Sequence, residues 1–529
     1  MRHTVKLFLA LTGFFLSLGP VAAQVVQTAQ GAVSGQKEPS STVTVFKGIP
    51  YAAPPVGDLR WRPPQPPAAW QGVRKADAFG ASCMQGILES MLPMHMPWTE
   101  EFLTHNKVSE DCLFLNIWTP APRPGANLPV VMFIHGGGFS GGAGDVAVYD
   151  GANLAGKGLV VVTINYRLGV FGFLAHPDLT AESEHHSSGN YGLLDQIAAL
   201  AWLKANVAPF GGDAHNITIW GQSAGALSVA DLVASPLAAG LFQRGQADSG
   251  LGVSGFPMAD RSAAEADGVK FAAQHHTVSI KELRAMPAEA LLPDPKEGAA
   301  PGLRFAPIID GWVLPDAPNA MNAKGNDNDV PVITGYQPGD SAMFTPPIHS
   351  LDEYRQMNQR RYGDVAAEFD KLYPVSKVDD IKAALAESGQ DRSRVSMFLW
   401  AAARVKSHRQ PVYTYFFDHA IPWPQHPEFG AFHSGELPYF FLNLKKLDRP
   451  WQEEDATLAK VASSYLINFA TKGDPNGSGL APWPRIDPKT PQTMELGAKV
   501  GTMPLADKAR CDFWVRYYGS PLGKNAPLF

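Results

Sequence analysis

The stretch that decides the fold runs from Asn216 to Ala234 and reads NITIWGQSAGALSVADLVA. Its first part, Asn216–Trp220, is rich in β-branched and aromatic residues and predicts a strand. Its last part, Ala224–Ala234, predicts a helix. Between them, residues 221–225 carry the pattern G-x-S-x-G, which in a strand-to-helix turn holds a serine hydroxyl clear of the sheet. The sequence therefore predicts a nucleophile elbow with Ser223 at its apex.

Further elements are predicted on both sides of this turn. Pro129–Ile134 and Leu159–Asn165 are continuous apolar runs, which suit strands buried on both faces. Apolar residues at helical spacing fill Leu193–Ala205. Other strands are predicted at Val43–Phe46, Leu113–Trp118, Val330–Thr334 and Val412–Phe417. Gly48–Pro55 is too rich in proline for a helix or a central strand. Buried strands that alternate with helices predict an α/β fold with a large, mostly parallel central sheet flanked by helices.

A glycine run follows the first of these buried strands, at His135-Gly136-Gly137-Gly138-Phe139. Backbone N–H groups in such a run can point into a cavity and stabilise the anionic oxygen of a tetrahedral intermediate. An HGGG-type segment upstream of G-x-S-x-G is the expected oxyanion partner. The start of the predicted helix adds the N–H of Ala224 and a positive dipole end. The candidate oxyanion hole is therefore Gly137, Gly138 and Ala224.

Two nucleotide-binding patterns and a metal pattern are the alternatives to this prediction. Gly136, Gly138 and Gly141 also spell G-x-G-x-x-G, but no clear helix follows at once and no acidic residue stands about 20 positions on. Gly151–Gly158 resembles a P-loop, yet Gly158 stands where a hydroxyl ligand for Mg²⁺ is needed. The histidine pairs His185-His186 and His275-His276 lack metal-ligand spacing and are expected in solvated loops. We expect neither a metal ion nor an organic cofactor.

Composition excludes other classes of function. The chain has 529 residues and a formal net charge of −6, whereas nucleic-acid binders usually carry a basic domain or stripe. Three cysteines exclude a disulfide scaffold or a multi-cysteine metal cluster. No linker or repeat divides the chain, which favours a single domain over residues 24–529. We expect a small molecule as the partner, and no nucleic acid.

Residues 1–23 have the order of a secretory signal peptide. Arg2 and Lys6 give a basic start, Leu7–Leu18 is a largely apolar run, and the small residues Val21-Ala22-Ala23 end the segment. The apolar run is shorter than the about 20 residues of a transmembrane helix. The sequence therefore predicts cleavage after Ala23, a secreted or periplasmic protein, and no stable insertion into a membrane.

A serine nucleophile needs a base, and the base needs an orienting carboxylate. In a fold with this elbow the acid and then the histidine follow the serine in the chain. Spacing alone leaves the histidine open among His349, His408, His419, His426 and His433. It leaves the acid open among many aspartates and glutamates.

Several blocks of the mature chain resemble the type-B carboxylesterase family, which includes cholinesterases and bacterial p-nitrobenzyl esterases. These blocks are Phe46–Trp61 (FKGIPYAAPPVGDLRW), Ser109–Trp118 (SEDCLFLNIW), Asn165–Gly172 (NYRLGVFG), Gly189–Asp195 (GNYGLLD), Gly211–Asp213 and Asn468–Asn476 (NFATKGDPN). The resemblance implies an α/β-hydrolase fold and a serine carboxylesterase that hydrolyses small-molecule esters through an acyl-enzyme. A carbamate or amide hydrolase, an acyltransferase, and a non-catalytic binding protein are the alternatives.

The resemblance also implies a catalytic triad of Ser223, Asp340 and His433. Gly335–Ser341 (GYQPGDS) matches the family's acid segment, with an aspartate where glutamate is commoner, and His433–Tyr439 (HSGELPY) matches its histidine segment. Aspartate is shorter by one methylene, so the loop must bring Asp340 closer to the imidazole. The fallback base is His419, and the fallback acids are Asp352 and Glu353.

Other expectations come from the same resemblance. Cys83 and Cys112 match a family disulfide, which leaves Cys511 free, and Ser249 matches a position near the triad. Gln222 stands where cholinesterases carry glutamate, so a carboxylate that would favour cationic substrates is missing. The candidates for the lining of an apolar acyl or alcohol pocket are Met84, Met91, Met94, Met96, Trp98 and Phe102, and a packed surface loop is the alternative.

Overall fold

The computed structural model describes residues 24–39, 41–86, 97–253, 258–293, 303–342 and 348–524. The predicted signal peptide and three of the pocket candidates, Met91, Met94 and Met96, lie outside the described residues. The strands are β1 Gln24–Gln27, β2 Ala32–Lys37, β3 Thr44–Pro50, β4 Val73–Lys75, β5 Ser82–Cys83, β6 Val108–Ser109, β7 Phe114–Thr119, β8 Leu128–Ile134, β9 Val160–Ile164, β10 Gly212–Gln222, β11 Arg244–Asp248, β12 Val332–Tyr336, β13 Val412–Phe417, β14 Gln492–Leu496 and β15 Val500–Pro504.

The α-helices cover both faces of the sheet and fill the long connections. They are α1 Ala152–Ala155, α2 Gly169–Phe173, α3 Pro177–Glu182, α4 Tyr191–Asn206, α5 Ala224–Ala234, α6 Arg261–Gln274, α7 Ile280–Ala285, α8 Pro318–Lys324, α9 Pro338–Ala342, α10 Leu351–Tyr362, α11 Ala366–Leu372, α12 Ile381–Ser407, α13 Leu437–Phe440, α14 Glu453–Lys472, α15 Lys508–Gly519 and α16 Pro521–Lys524. In the part of the chain that is described, no helix has both the length and the apolar character needed to cross a membrane.

The main sheet has the strand order β1-β2-β3-β7-β9-β8-β10-β11-β12-β13-β14-β15, and β4 pairs with β2. Every pairing from β9 to β14 is parallel. The strands outside this block pair antiparallel along the order. The predicted α/β fold with a large, mostly parallel sheet is therefore confirmed.

The apolar runs form strands buried on both faces, as their composition predicts. In β8, Val130, Met132 and Ile134 join one hydrophobic cluster, whereas Val131 and Phe133 join another. Side chains of α4 and α5 complete the first cluster, and side chains of α14 complete the second. Since successive side chains of a strand point to opposite faces, β8 is covered on both sides.

The proline-rich segment differs from its prediction. Strand β3 runs past Gly48 and Ile49 to Pro50, between the antiparallel partners β2 and β7. Its pairing with β7 shifts register between Phe46 and Ile49, and the proline is the last residue of the strand. A bulge and a terminal position are places where a strand tolerates glycine and proline.

The predicted disulfide between Cys83 and Cys112 is present, and Cys511 is free. Both bonded cysteines are buried in the hydrophobic core. The bond links β5 to the residues just before β7, and so fastens an outer segment to the central sheet.

We predict that Cys83→Ala combined with Cys112→Ala lowers the free energy of unfolding. The 29-residue separation corresponds to about 3.5 kcal/mol in the chain-entropy model. Urea unfolding of this variant should show a lower midpoint than wild type, while Cys511→Ala, which breaks no bond, should stay close to wild type. A double variant as stable as Cys511→Ala would contradict the prediction.

Candidate active site

The turn between β10 and α5 holds Ser223 in a conformation that few residues adopt. Its φ is 58° and its ψ is −123°. A Cβ on Gly221 would lie 2.2 Å from the carbonyl oxygen of Gly225, and one on Gly225 would lie 2.0 Å from that of Ile134. Both contacts are closer than real Cβ atoms approach, so each glycine is required by the space around it. The backbone N–H of Ser223 donates to the carbonyl oxygen of Asp248 at 2.9 Å and anchors the turn.

His433 and Asp340 lie in contact, beside this turn. His433 Nδ1 is 2.5 Å from Asp340 Oδ1, and both side chains are buried. The other ring nitrogen, Nε2, is 3.2 Å from the amide nitrogen of Gln222, the residue before Ser223. When Nδ1–H donates to the carboxylate, Nε2 carries the lone pair and accepts from the Gln222 amide. That tautomer is the one a general base requires.

The second oxygen of Asp340 is held by two donors. Ser249 Oγ and the backbone N–H of Gln337 each donate to Asp340 Oδ2 at 2.8 Å. Ser249 is itself fixed, because its backbone N–H donates to the carbonyl oxygen of Gly335 at 2.7 Å. One oxygen of the carboxylate therefore contacts His433, and the other is held in position by Ser249 and Gln337.

The glycine loop after β8 lies against the elbow. A Cβ on Gly136 would be 3.0 Å from the Cβ of Ser223. Gly137 and Gly138 have φ values of 106° and 63°, and both are exposed. The carbonyl oxygen of Gly137 accepts from the N–H groups of Ser140 and Gly141 at 3.0 Å each, which closes the turn. The glycine loop therefore lies directly beside Ser223.

His135 supports this loop and is not placed as a base. Its ring stacks on Tyr166 with 4.5 Å between centroids, and its Nδ1 lies 2.8 Å from the carbonyl oxygen of Gly136. Burial lowers the pKa of His135 to about 4, so the imidazole is neutral at neutral pH.

Two buried carboxyl groups near Asp340 were missed by sequence reasoning. Asp248 ends β11 and accepts a hydrogen bond from Trp220 Nε1 at 2.5 Å, and Glu436 is the third residue after His433. Burial raises the pKa of Asp248 to about 7, and burial with the charges of Asp248 and Asp340 raises the pKa of Glu436 well above its usual range. This shift favours the neutral form of Glu436 and so reduces the negative charge around Asp340.

The other candidate bases have different partners. His419 Nε2 is 2.7 Å from Asp455 on α14, and His426 Nδ1 is 3.1 Å from Glu428. His408 contacts Asp327, and the backbone N–H of His349 donates to Glu353, a fallback acid on α10. The second fallback acid, Asp352, is exposed on the same helix.

One histidine of each of the two pairs packs against an aromatic ring. His185 stacks on Trp312 with 3.8 Å between centroids, and His275 packs edge-on against Phe271 at 4.5 Å. Across the described ranges, no cluster of histidine, cysteine, aspartate and glutamate is arranged to hold a metal ion.

The apolar pocket candidates divide into two groups. Trp98 touches the site, since its Nε1 donates to the carbonyl oxygen of His433 at 3.2 Å. Phe102 packs edge-on against Phe432 at 5.8 Å, and both Met84 and Phe102 are buried in the core. These two side chains therefore pack in the core and not in a surface loop.

A cavity of about 700 Å³ lies along α5. Leu227 lines it, and the backbone N–H of that residue donates to the carbonyl oxygen of Ser223. Phe139 of the glycine loop and Gly250, which follows Ser249, line it as well. The cavity therefore borders the elbow, the oxyanion loop and the support of Asp340. Its walls come from chain segments that are far apart in sequence, so no local motif predicts this cavity.

Asp231 lies in the wall of this cavity, one helical turn beyond Leu227. Its side chain is buried, and none of the described residues forms a hydrogen bond or an ion pair with its carboxyl group. Burial alone raises the pKa of Asp231 to about 8, so the carboxyl group is protonated at neutral pH.

The model of the carboxylesterase family matches residues 22–514. Fumonisin B1 esterase of Sphingopyxis macrogoltabida is 37% identical over 503 residues, which cover 91% of this chain and 89% of that protein. Para-nitrobenzyl esterase of Bacillus subtilis (strain 168) is 36% identical over 498 residues, which cover 90% of this chain and 95% of that protein. Human cocaine esterase is 32% identical over 528 residues, which cover 94% of this chain and 91% of that protein. A solved PNB esterase structure superposes with a TM-score of 0.75 at 32% identity, and a thermophilic PNB esterase with 0.77 at 30%. Each comparison covers 93% of this chain and 100% of that structure.

Because the Asp231 carboxyl group is protonated at neutral pH, we predict that Asp231→Asn changes the free energy of unfolding in a pH-dependent way. The folded pKa of about 8 lies above the ordinary 3.8, so the stability that this group contributes is present below about pH 4 and is lost as the pH rises through about 8. Asparagine does not titrate, so the variant should gain stability relative to wild type over this range, by up to a few kcal/mol.

Urea unfolding at a series of pH values measures this difference. Asp267→Asn is the matched control, since Asp267 lines the same cavity but is only partly buried. Parallel pH dependence of wild type and Asp231→Asn would show that the Asp231 carboxyl group is ionised at neutral pH.

Proposed function

The chain belongs to the carboxylesterase family and is a carboxylic ester hydrolase, and from this premise we propose that it is an exported serine esterase that works through an acyl-enzyme on Ser223. The observation that carries the proposal is the contact between His433 and Asp340, with the second ring nitrogen of His433 turned toward the residue before Ser223. This arrangement supplies a nucleophile, a base and a carboxylate in the order that the fold requires.

In the first step the Ser223 hydroxyl oxygen attacks the ester carbonyl carbon, and His433 Nε2 takes the hydroxyl proton. The ring then carries a positive charge, which the Asp340 carboxylate stabilises across the 2.5 Å contact. The bonds from Ser249 and Gln337 hold this carboxylate in place, so little reorganisation is needed when the charge forms.

The carbonyl oxygen becomes an oxyanion in the tetrahedral intermediate. The backbone N–H groups of Gly137, Gly138 and Ala224 donate to it, and the N-terminus of α5 adds its positive dipole end. The positive φ values of Gly137 and Gly138 support this role, because they turn the loop at the point where it meets the elbow.

Collapse of the intermediate breaks the bond to the alcohol oxygen, which leaves with the proton from His433. A water molecule then gives a proton to the same Nε2 and attacks the acyl carbon, and the second intermediate releases the carboxylic acid and the Ser223 hydroxyl. Every proton transfer in both halves passes through His433.

We also propose that residues 1–23 direct export and are cleaved after Ala23, and that residues 24–529 form one catalytic domain. The disulfide between Cys83 and Cys112 supports export, because disulfides persist in oxidising compartments. N-terminal sequencing of the protein recovered from the periplasm or the medium tests the cleavage site.

Hydrolysis of a p-nitrophenyl ester series of increasing acyl length tests the reaction, with p-nitroanilides and an added alcohol acceptor for the amidase and acyltransferase alternatives. Wild type should hydrolyse esters best, and Ser223→Ala should lose a factor of about 10⁴ or more in kcat. A Ser223→Ala variant that keeps wild-type activity would overturn the proposed mechanism.

We predict opposite outcomes for two histidine substitutions. His433→Gln should lower kcat by a factor of about 10⁴ or more because the base is lost. Asp340→Asn should lower kcat by a factor of about 10⁴ because the imidazole loses its orienting carboxylate. His419→Gln is the matched control, since His419 contacts Asp455 rather than Asp340, and its kcat should stay within a few-fold of wild type. A larger loss in His419→Gln than in His433→Gln would contradict the assignment of the base.

A further inference from the structure

One face of α5, the helix that follows the nucleophile, lines the large cavity. Its lining side chains are Leu227, Ala230 and Asp231, and their spacing of three and four residues places them on the same side of the helix. The volume of about 700 Å³ falls in the range typical of small-molecule sites. A cavity of this size beside Ser223 suits a part of the substrate that extends away from the reacting bond.

Asp231 is the polar group on this face of the helix. Only 4% of its surface is exposed, and in the described part of the chain no residue forms a hydrogen bond or an ion pair with its carboxyl group. Burial raises the pKa of Asp231 to about 8, so at neutral pH the group has one O–H donor and one carbonyl acceptor. Buried polar groups are normally hydrogen-bonded, so a partner inside the cavity would stabilise this carboxyl group.

The other polar side chains of the wall already have partners. Asp267 is bonded to Lys270 at 2.8 Å. The Asn319 amide donates to two backbone carbonyl oxygens of the same wall, at 2.9 and 3.2 Å. Arg304 is also engaged in an interaction. Among the described polar side chains that line the cavity, Asp231 is therefore the one whose donor and acceptor are left for a bound molecule.

We propose that the cavity selects esters with a hydroxyl group on the part that extends along α5, and that Asp231 recognises this hydroxyl group. A hydroxyl group offers both an acceptor for the carboxyl O–H and a donor for the carboxyl carbonyl oxygen, so it matches both functions of the neutral side chain. The apolar lining residues, among them Leu251, Met258 and Ile308, contact the methylene groups between the ester and the hydroxyl group. The inference rests on the proposed function, because the cavity is assigned to substrate by its position beside Ser223.

The span along α5 sets the length of the probes. From Ser223 to Asp231 the helix rises by eight residues, or about 12 Å at 1.5 Å per residue. Ethyl esters of ω-hydroxy acids with about six to twelve carbons bracket this distance if the acyl part fills the cavity. Monoacetates of α,ω-diols of the same lengths do so if the alcohol part fills it. Each probe is compared with the ester in which a hydrogen atom replaces the hydroxyl group.

The quantity to measure is kcat/KM for each hydroxy ester divided by kcat/KM for its unsubstituted counterpart. Asp231→Leu is similar in size and removes both hydrogen-bonding functions, so it should lower this ratio by about 10-fold at the best chain length, the effect of a lost hydrogen bond. Asp267→Leu is the matched control, because the Asp267 carboxylate is bonded to Lys270, and it should keep the wild-type ratio. Equal ratios in wild type and Asp231→Leu at every length in both series would overturn the proposal.

Asp231→Asn separates recognition of a neutral hydroxyl group from recognition of a cation. The asparagine amide also donates and accepts hydrogen bonds but carries no charge, so this variant should keep most of the wild-type ratio. An Asp231→Asn variant that loses as much as Asp231→Leu would show that an ionised carboxylate is needed, as it would be for an ammonium group, and would overturn the proposal.

A binding measurement separates this inference from the proposed reaction. In calorimetric titrations of the Ser223→Ala variant, adding Asp231→Leu should weaken the binding of hydroxy esters about 10-fold more than that of their unsubstituted counterparts. This result would support the inference even if wild type cleaved no ester, in which case the proposed reaction alone would fail. Equal weakening of both kinds of ester, or no binding of any hydroxy ester, would overturn the inference even if wild type hydrolysed ethyl alkanoates through Ser223.

Discussion

The close approach of the start of α5 to the end of β8 is the contact on which the site depends. Gly225 comes so near the carbonyl oxygen of Ile134 that a Cβ would lie 2.0 Å from it, and Gly136 would bring a Cβ to 3.0 Å from that of Ser223. The elbow and the glycine loop are therefore one packed unit. Burial of β8 and β10 on both faces holds this unit rigid, so the unusual backbone angles of Ser223 persist.

Parallel strand order brings the remaining groups to the same edge. Ser223, Asp340 and His433 follow β10, β12 and β13, and the carboxyl ends of parallel strands lie together. The aspartate at position 340 is shorter than a glutamate, and the turn into α9 compensates by placing it in direct contact with the imidazole. The hydrogen bonds from Ser249 and Gln337 then fix the orientation of the Asp340 carboxylate.

Much of the fold could be predicted from sequence because its signals are local. The bounds of α5 and β13 agree with the prediction, and the glycine patterns mark the turns that need them. Strand β11 (Arg244–Asp248) was missed, since its polar residues hide a buried strand. No role was predicted for Asp248, because its raised pKa depends on burial that the sequence does not reveal.

The histidine and the acid show the limit of spacing arguments. Spacing left five histidines after Ser223 as candidates for the base. Only the similarity to a family distinguished His433 from His419, because the local sequence chemistry does not separate them. The large cavity was beyond any sequence argument, because Leu227, Met258 and Arg304 meet only through the tertiary fold. The lining of this cavity is therefore set by the tertiary fold and not by a motif.

Labelling with a fluorophosphonate is the most direct measurement of the central claim, that Ser223 is a nucleophile activated by His433. The account predicts one phosphonyl group per chain, located on the peptide that contains Ser223 by mass spectrometry, and much slower labelling of His433→Gln. A label on another residue, or no label on correctly folded protein, would contradict the account.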